Sequence, residues 1–157
     1  MSKIILASSS IYREELLKRL PIKFTFTSPN INEERMNDES FEDLARRLSN
    51  DKAEAIAKKN PSAFVIGSDQ TAEFNNKEVR KPLSIEKAFI QLRELSGQTL
   101  NFYSGVCLKH IQKNISTDAV VKFSVTYKKL SEDQIKNYLK IEDPSQCVGS
   151  IKSEGLG

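Results

Sequence analysis

Three charged positions fall where solvated charges are seldom found. Asp69 follows the apolar run 63–67 (AFVIG) and the small residue Ser68. A carboxylate at the carboxyl end of a buried strand faces the usual ligand crevice of an α/β sheet. An aspartate there also closes a strand as a turn former. Lys52 lies four residues after Leu48 and four before Ile56, on the apolar stripe of a helix. Lysine occupies such a place when it pairs or snorkels. It is either an ammonium aimed at a phosphate from inside the fold or a lysine at the rim of the stripe. Arg13 stands in the first turn after Ser8-Ser9-Ser10. Free N–H groups at a helix start bind anions, and an arginine beside them chelates phosphate. The plainer alternative is a serine N-cap with a solvated arginine.

Weaker candidates surround these. Glu33 and Glu34 lie in a polar loop and read as metal carboxylates or as solvated charges. Lys81 precedes Pro82 at the start of a helix and offers a further phosphate contact. His110, beside Lys109 on a strand, has no evident Ser or Cys partner. It reads as an exposed or edge residue, so a catalytic triad is not expected. There is no Walker loop and no GxGxxG. Cys107 and Cys147 sit in no CxxC or Cys/His cluster, so they read as two reduced thiols rather than zinc or haem ligands.

The elements that must hold these residues alternate along the chain. Residues 3–7 read as a buried strand, 11–20 as a helix with Leu16, Leu17 and Leu20 on its inner face, and 22–28 as a strand. Residues 29–39 read as a loop. Residues 40–59 carry the apolar stripe Phe41, Leu44, Ala45, Leu48, Ala55 and Ile56 of a helix. A buried strand is expected at 63–67, a turn between short strands at Asn75-Asn76, and a helix at 85–95. Two long strands follow, about 98–111 and 117–129, turning near Lys113-Asn114, then a helix at 131–141. This alternation, with a long hairpin, implies an α/β domain with a mixed sheet.

The chain has 157 residues, 38% hydrophobic and 29% charged, with a net charge of +3. That length suits one core. The charge excess is too small to argue for nucleic acid, and no basic run supports it. The apolar run at the N-terminus is too short for a signal-peptide core, and no stretch approaches a membrane span, so a cytoplasmic location is expected.

Taken together, the segments 5–17 (ILASSSIYREELL), 30–34 (NINEE), 65–70 (VIGSDQ), 80–82 (RKP), 95–97 (LSG), 102–106 (FYSGV) and 149–157 (GSIKSEGLG) resemble the Maf family, within the inosine-triphosphate-pyrophosphatase-like fold. The likeness covers essentially the whole chain. It implies a mixed elongated sheet flanked by helices, and a single Maf-like domain over 1–157. The chain ends at Gly157, where the family pattern usually continues through a further strand and helix; on the resemblance, those two elements are missing. Tyr12, Gln70 and Glu154 match the branch that prefers 7-methyl-GTP, and the dTTP/UTP branch has Arg, Thr and Gln there. The choice has a physical basis, because a cationic methylated guanine stacks on an aromatic face with roughly 0.5–2 kcal/mol of cation–π attraction.

The resemblance further implies hydrolysis between the α- and β-phosphates. It makes Asp69 the proton acceptor, and Ser8, Ser9, Arg13, Lys52 and Lys81 the phosphate contacts. Glu33 and Asp69 become ligands of a divalent cation, Mg²⁺ or Mn²⁺. It also implies a nucleotide as the partner, a homodimer, and no nucleic acid or membrane. Alternatives are a dTTP, UTP or CTP pyrophosphatase of the same family, and a non-catalytic nucleotide-binding regulator of septum formation. Departures from the family pattern are Ile11 for Pro, Asn32 for an acidic residue, Arg80 for Gly, and Tyr12 for the frequent Trp.

Overall fold

The structure is a computed structural model that describes residues 3–153 and 155–157. Its elements run β1 (Ile4–Ala7), α1 (Ile11–Leu17), β2 (Thr25–Thr27), α2 (Phe41–Ala57), β3 (Phe64–Phe74) and β4 (Lys77–Glu78). They continue with α3 (Ile85–Leu95), β5 (Thr99–His110), β6 (Ile115–Thr126) and α4 (Glu132–Ile141). A 3-10 turn, Val148–Ser150, follows. The strands form one sheet in the order β2-β1-β3-β5-β6, with β4 paired to β3. β1 runs parallel to both β2 and β3, and β4 runs antiparallel to β3. The sheet is therefore mixed, as the alternation of strands and helices predicts.

The chain divides into two compact units, residues 1–70 with 103–121 and residues 71–102 with 122–157. In the first, α2 presents Phe41, Leu44, Ala45, Leu48, Ser49, Lys52, Ala53, Ile56 and Ala57 to the interior. That spacing of three and four is one face of a helix. Ser40 caps it, its side chain accepting from the Asp43 N–H at 3.0 Å. Ala53, Ile56 and Ala57 pack with Ile5, Ala7, Ala63, Val65 and Cys107. Small residues predominate because the helix backbone runs close to the strands. A Cβ on Gly67 would lie 2.1 Å from the Ser49 carbonyl oxygen, and one on Gly105 would lie 2.3 Å from that of Ala45. Glycine is the residue that permits such an approach.

In the second unit, Ala72, Leu92, Leu95, Leu100, Phe102, Tyr127 and Ile135 form the core. Ser84 caps α3, and Ser131 with Gln134 closes a capping box at the start of α4. Phe102 and Phe123 stack at 4.9 Å between ring centroids. The buried Tyr127 hydroxyl donates to the Gly149 carbonyl at 2.8 Å.

Several expected elements are corrected. α1 ends at Leu17 rather than Leu20, and none of its residues is buried. Leu16 is 60% exposed and Leu20 54%, and of the three expected inward leucines only Leu17 is half-buried. β2 shrinks to three exposed residues at the sheet edge. β3 does not stop at Gly67 but continues to Phe74, where Asn75 and Asn76 (φ 52° and 60°) make the expected turn into β4. Gly-Ser-Asp reads locally as a turn, but alternation persists through it, with Val65, Gly67, Asp69 and Thr71 buried in succession. His110 is buried, not exposed. Its ring meets Phe64 edge-on at 4.6 Å, and its Nδ1 accepts from the Lys113 N–H.

Candidate active site

β1 and β3 pair from Ile4↔Phe64 to Ala7↔Gly67, and there β1 ends. β3 runs on, so β1 supplies no partner to Ser68, Asp69 or Gln70. Asp69 is thus in the middle of its own strand yet just past the end of the neighbouring parallel strand. This is where an α/β sheet opens its crevice.

Asp69 shares the face of β3 that packs on α2, one residue pair beyond Gly67. The close helix approach at Gly67 brings Lys52, the residue next to Ala53, against it. The Lys52 ammonium lies 2.5 Å from Asp69 Oδ1 and 2.8 Å from Glu33 Oε1. Lys52 is 5% exposed and Asp69 7%. Arg13 Nη2 stands 4.0 Å from the same Asp69 oxygen. Two cations and two carboxylates therefore converge, with Glu33 mostly open to solvent and Arg13 partly so. Removing ions from water costs several kcal/mol each, so buried charges of this kind persist only when paired. The rim reading of Lys52 is excluded, because the side chain points inward.

The loop that delivers Glu33 is tied to α2. Arg47 donates to both carboxylate oxygens of Glu39, at 2.7 and 3.0 Å, and to the Glu34 carbonyl at 2.9 Å. The Arg47 guanidinium holds the Glu39 carboxyl below its usual range. Arg35 adds bonds to the Glu39 carbonyl. Asn32, which stands where the family pattern has an acid, accepts the Glu34 N–H.

The remaining expected residues are placed as follows. The buried Ser8 hydroxyl oxygen accepts the Ser10 N–H at 3.0 Å, and Ser9 is exposed. Ser10 is the N-cap of α1 but makes no side-chain capping bond. Tyr12 is 40% exposed. Gln70 is exposed and donates from Nε2 to Ser104 Oγ at 2.9 Å. Lys81 belongs to the second unit, where it lines an open groove of about 310 Å³ with Arg80, Pro82, Leu83, Lys87 and others. Glu154 lies outside the described residues. Among the described residues no group of three or more His, Cys, Asp or Glu could hold a metal ion, and no helix is long and apolar enough to cross a membrane.

Gly67, Gly105 and Ser104 were not singled out from the sequence. A glycine inside an otherwise buried strand is the signal that marks the first two. Nothing in the sequence pattern pairs Ser104 with Gln70.

The fold and this cluster define an α/β protein with a charged site at a sheet opening. Residues 3–157 match the family described as Maf-like protein, and the chain belongs to the Maf family. It is similar to the 7-methyl-GTP pyrophosphatase of Nitrosococcus oceani, 46% identical over 154 residues, which covers 98% of this chain and 77% of that one. It is similar also to the 7-methyl-GTP pyrophosphatase of Pseudomonas putida, 43% identical, covering 100% of this chain and 82% of that one. Among solved structures, the Staphylococcus aureus Ham1 protein matches with a TM-score of 0.49 at 20% identity, over 80% of this chain and 70% of that one.

Proposed function

We propose that this chain is a nucleoside-triphosphate pyrophosphatase that hydrolyses 7-methyl-GTP to 7-methyl-GMP and diphosphate. The observation that carries the reading is the buried Lys52–Asp69 pair at the open end of the parallel strands. The names of the two relatives support the choice of substrate. In this reading Asp69 accepts the proton of the attacking water. Lys52 and Arg13 hold the triphosphate and offset the charge that builds on the leaving diphosphate. Ser8, Ser9 and Lys81 are further phosphate contacts, and Tyr12, Gln70 and Glu154 read the base, on the family resemblance.

Glu33 and Asp69 both touch one positive charge, the Lys52 ammonium. Two hard carboxylate oxygens converging in this way fit Mg²⁺ or Mn²⁺, with phosphate oxygens completing the shell. Such an ion, when bound, neutralises charge on the phosphates. On the same resemblance the protein is a cytoplasmic homodimer.

The test is diphosphate release from 7-methyl-GTP, GTP, dTTP, UTP and CTP, each with and without EDTA. We expect 7-methyl-GTP to have the highest kcat/KM and EDTA to abolish turnover. Preference for a pyrimidine nucleotide would move the chain to the other branch. Binding without release would make it a nucleotide-binding regulator, and full activity in a metal-free assay would remove the metal.

A further inference from the structure

The two edges of the sheet differ in length. β2 has three residues, whereas β6 runs unbroken for twelve. A long edge strand presents unpaired N–H and C=O groups to any strand that meets it, and proteins blunt such edges with proline, bulges or short strands. β6 contains no proline or glycine and no residue of positive φ. Its neighbour β5 keeps one register along it. The Tyr127 N–H donates to the Gln98 carbonyl at 2.8 Å, Thr99 meets Thr126 at 2.9 Å, and Ser124 donates to Asn101 at 2.7 Å. At the other end the hairpin turns between His110 and Ile115. The two strands advance in step, so no bulge interrupts β6. In an antiparallel ladder, residues bonded to one neighbour alternate with residues whose backbone groups point away from it. Because Tyr127 is bonded across the hairpin, the outward set includes Ser116, Asp118, Val120, Lys122 and Ser124.

We propose that this edge joins two copies of the chain, β6 pairing antiparallel with β6 of a second copy about a two-fold axis at Val120. The inference rests on the homodimer reading above and names its surface. Pairing of a strand with itself requires that residues equally far from the axis suit each other. Here Asp118 falls opposite Lys122 of the second copy, and Lys122 opposite its Asp118. Opposite charges directly across a ladder attract. Arg46 holds Oδ2 of Asp118 at 2.6 Å, and a carboxylate accepts at both oxygens. Ser116 falls opposite Ser124, Thr117 opposite Phe123, Ala119 opposite Val121, and Val120 opposite itself. Val121 and Phe123, 62% and 42% exposed, thereby gain cover. Other two-fold registers fit worse. An axis at Asp118 or at Lys122 sets like charges against each other, and an axis at Ala119 or Val121 sets one charge against Val120.

The experiment is sedimentation velocity over a range of concentrations for wild type, Asp118→Lys, Lys122→Asp and Ser116→Pro, and for an equimolar mixture of the two charge variants. We expect wild type to dimerise. Each charge variant alone sets like charges across the axis twice, so its dimer dissociation constant rises about tenfold or more. In the mixture every lysine of one variant faces an aspartate of the other, and a heterodimer forms about as tightly as the wild-type dimer. Ser116→Pro removes an outward N–H while sparing the bonds to β5, so it also weakens the dimer. Should Asp118→Lys fail to fold because it faces Arg46, Lys122→Asp and Ser116→Pro decide the matter. Dimers as tight as wild type in those two variants, or a mixture that associates no better than its separate components, overturn the β6 interface and leave the homodimer reading to another surface. A wild type that stays monomeric at every concentration used overturns the homodimer reading and this inference with it.

Discussion

The two units bury different kinds of polar group. Among the described residues, the first encloses Lys52 and Asp69, each less than 10% exposed, together with Ser8, Ser49 and His110. The second buries only hydroxyls among its polar side chains: Thr71, Ser145 and Ser150, with Tyr127 in its core. Burial pushes the Tyr127 hydroxyl well above its ordinary pKa, so it serves as a neutral donor to Gly149. A hydrogen-bonded hydroxyl costs little to bury, whereas an ion pair is at best weakly stabilising. The first unit therefore maintains an arrangement that stability alone does not demand. The second is built as an ordinary core.

The sharpest way to break that contrast is Asp69→Asn. The amide keeps the shape and a bond to Lys52 but cannot take a proton. We expect kcat to fall by about 10²–10⁴-fold with an unchanged circular-dichroism spectrum. Substantial turnover by the folded variant removes Asp69 from the role of base.

Lys52→Ala should lose activity and also stability, by up to about 3–5 kcal/mol, because it strands a buried carboxylate. Urea denaturation of Lys52→Ala beside a Lys52→Ala/Asp69→Asn double variant separates the two effects. The second change should recover much of the stability and none of the activity. Failure to recover would mean that Lys52 acts mainly through packing.

Gly67→Ala probes the helix approach. The added methyl meets the Ser49 carbonyl and the Ala53 N–H, so α2 must move. Overpacking of this sort costs roughly 1–3 kcal/mol. Because Lys52 adjoins Ala53, kcat should fall as well. A variant with wild-type kcat at a temperature where it is fully folded would uncouple the helix position from the chemistry.

Tyr127→Phe is the matching change in the second unit. It removes one hydrogen bond, worth about 1 kcal/mol, and should leave kcat/KM for 7-methyl-GTP as it was. A large kinetic effect would contradict the division between the units.

The smallest expected effect is on acid stability. Glu39 has its pKa depressed in the folded state by Arg47, so its contribution is present above the unfolded value of 4.5 and lost as pH falls through the lower folded value. Arg47→Met should flatten the loss of thermal stability below pH 4.5. An unaltered acid limb in differential scanning calorimetry would show that the Glu39 contact contributes nothing.

What the sequence made legible was the part governed by local rules. The starts of α2, α3 and α4 fall at the serine caps Ser40, Ser84 and Ser131, and the interruption of a helix stripe at Lys52 marks the one buried lysine or arginine among the described residues. The Asn75-Asn76 turn was also readable, because asparagine tolerates positive φ. Non-local pairing was not readable. Gly-Ser-Asp looks like the end of a strand, and it is the end for β1 but not for β3. Leu16 and Leu17 keep a helical spacing although Leu16 is exposed and Leu17 only half-buried. His110 shows no periodic signal, because its burial depends on Phe64, which is distant in the chain. Glu33 reaches Lys52 from a loop that Arg47 ties to α2 through the Glu34 carbonyl, a contact that no local pattern in the sequence marks.

The unequal ends of β1 and β3 have a consequence for how such a protein can change over generations. Asp69 and Gln70 are neighbours in the chain but turn to opposite sides of one strand. On the proposed roles, with Asp69 as the base and Gln70 as a reader of the nucleobase, chemistry and choice of substrate would occupy separate faces. A substitution at position 70 would then alter what is accepted while leaving the packing around Lys52 and Asp69 in place. Selectivity can drift along one face while the reaction is inherited intact on the other, so a family built this way can diversify its substrates by single exposed replacements and without a nonfunctional intermediate.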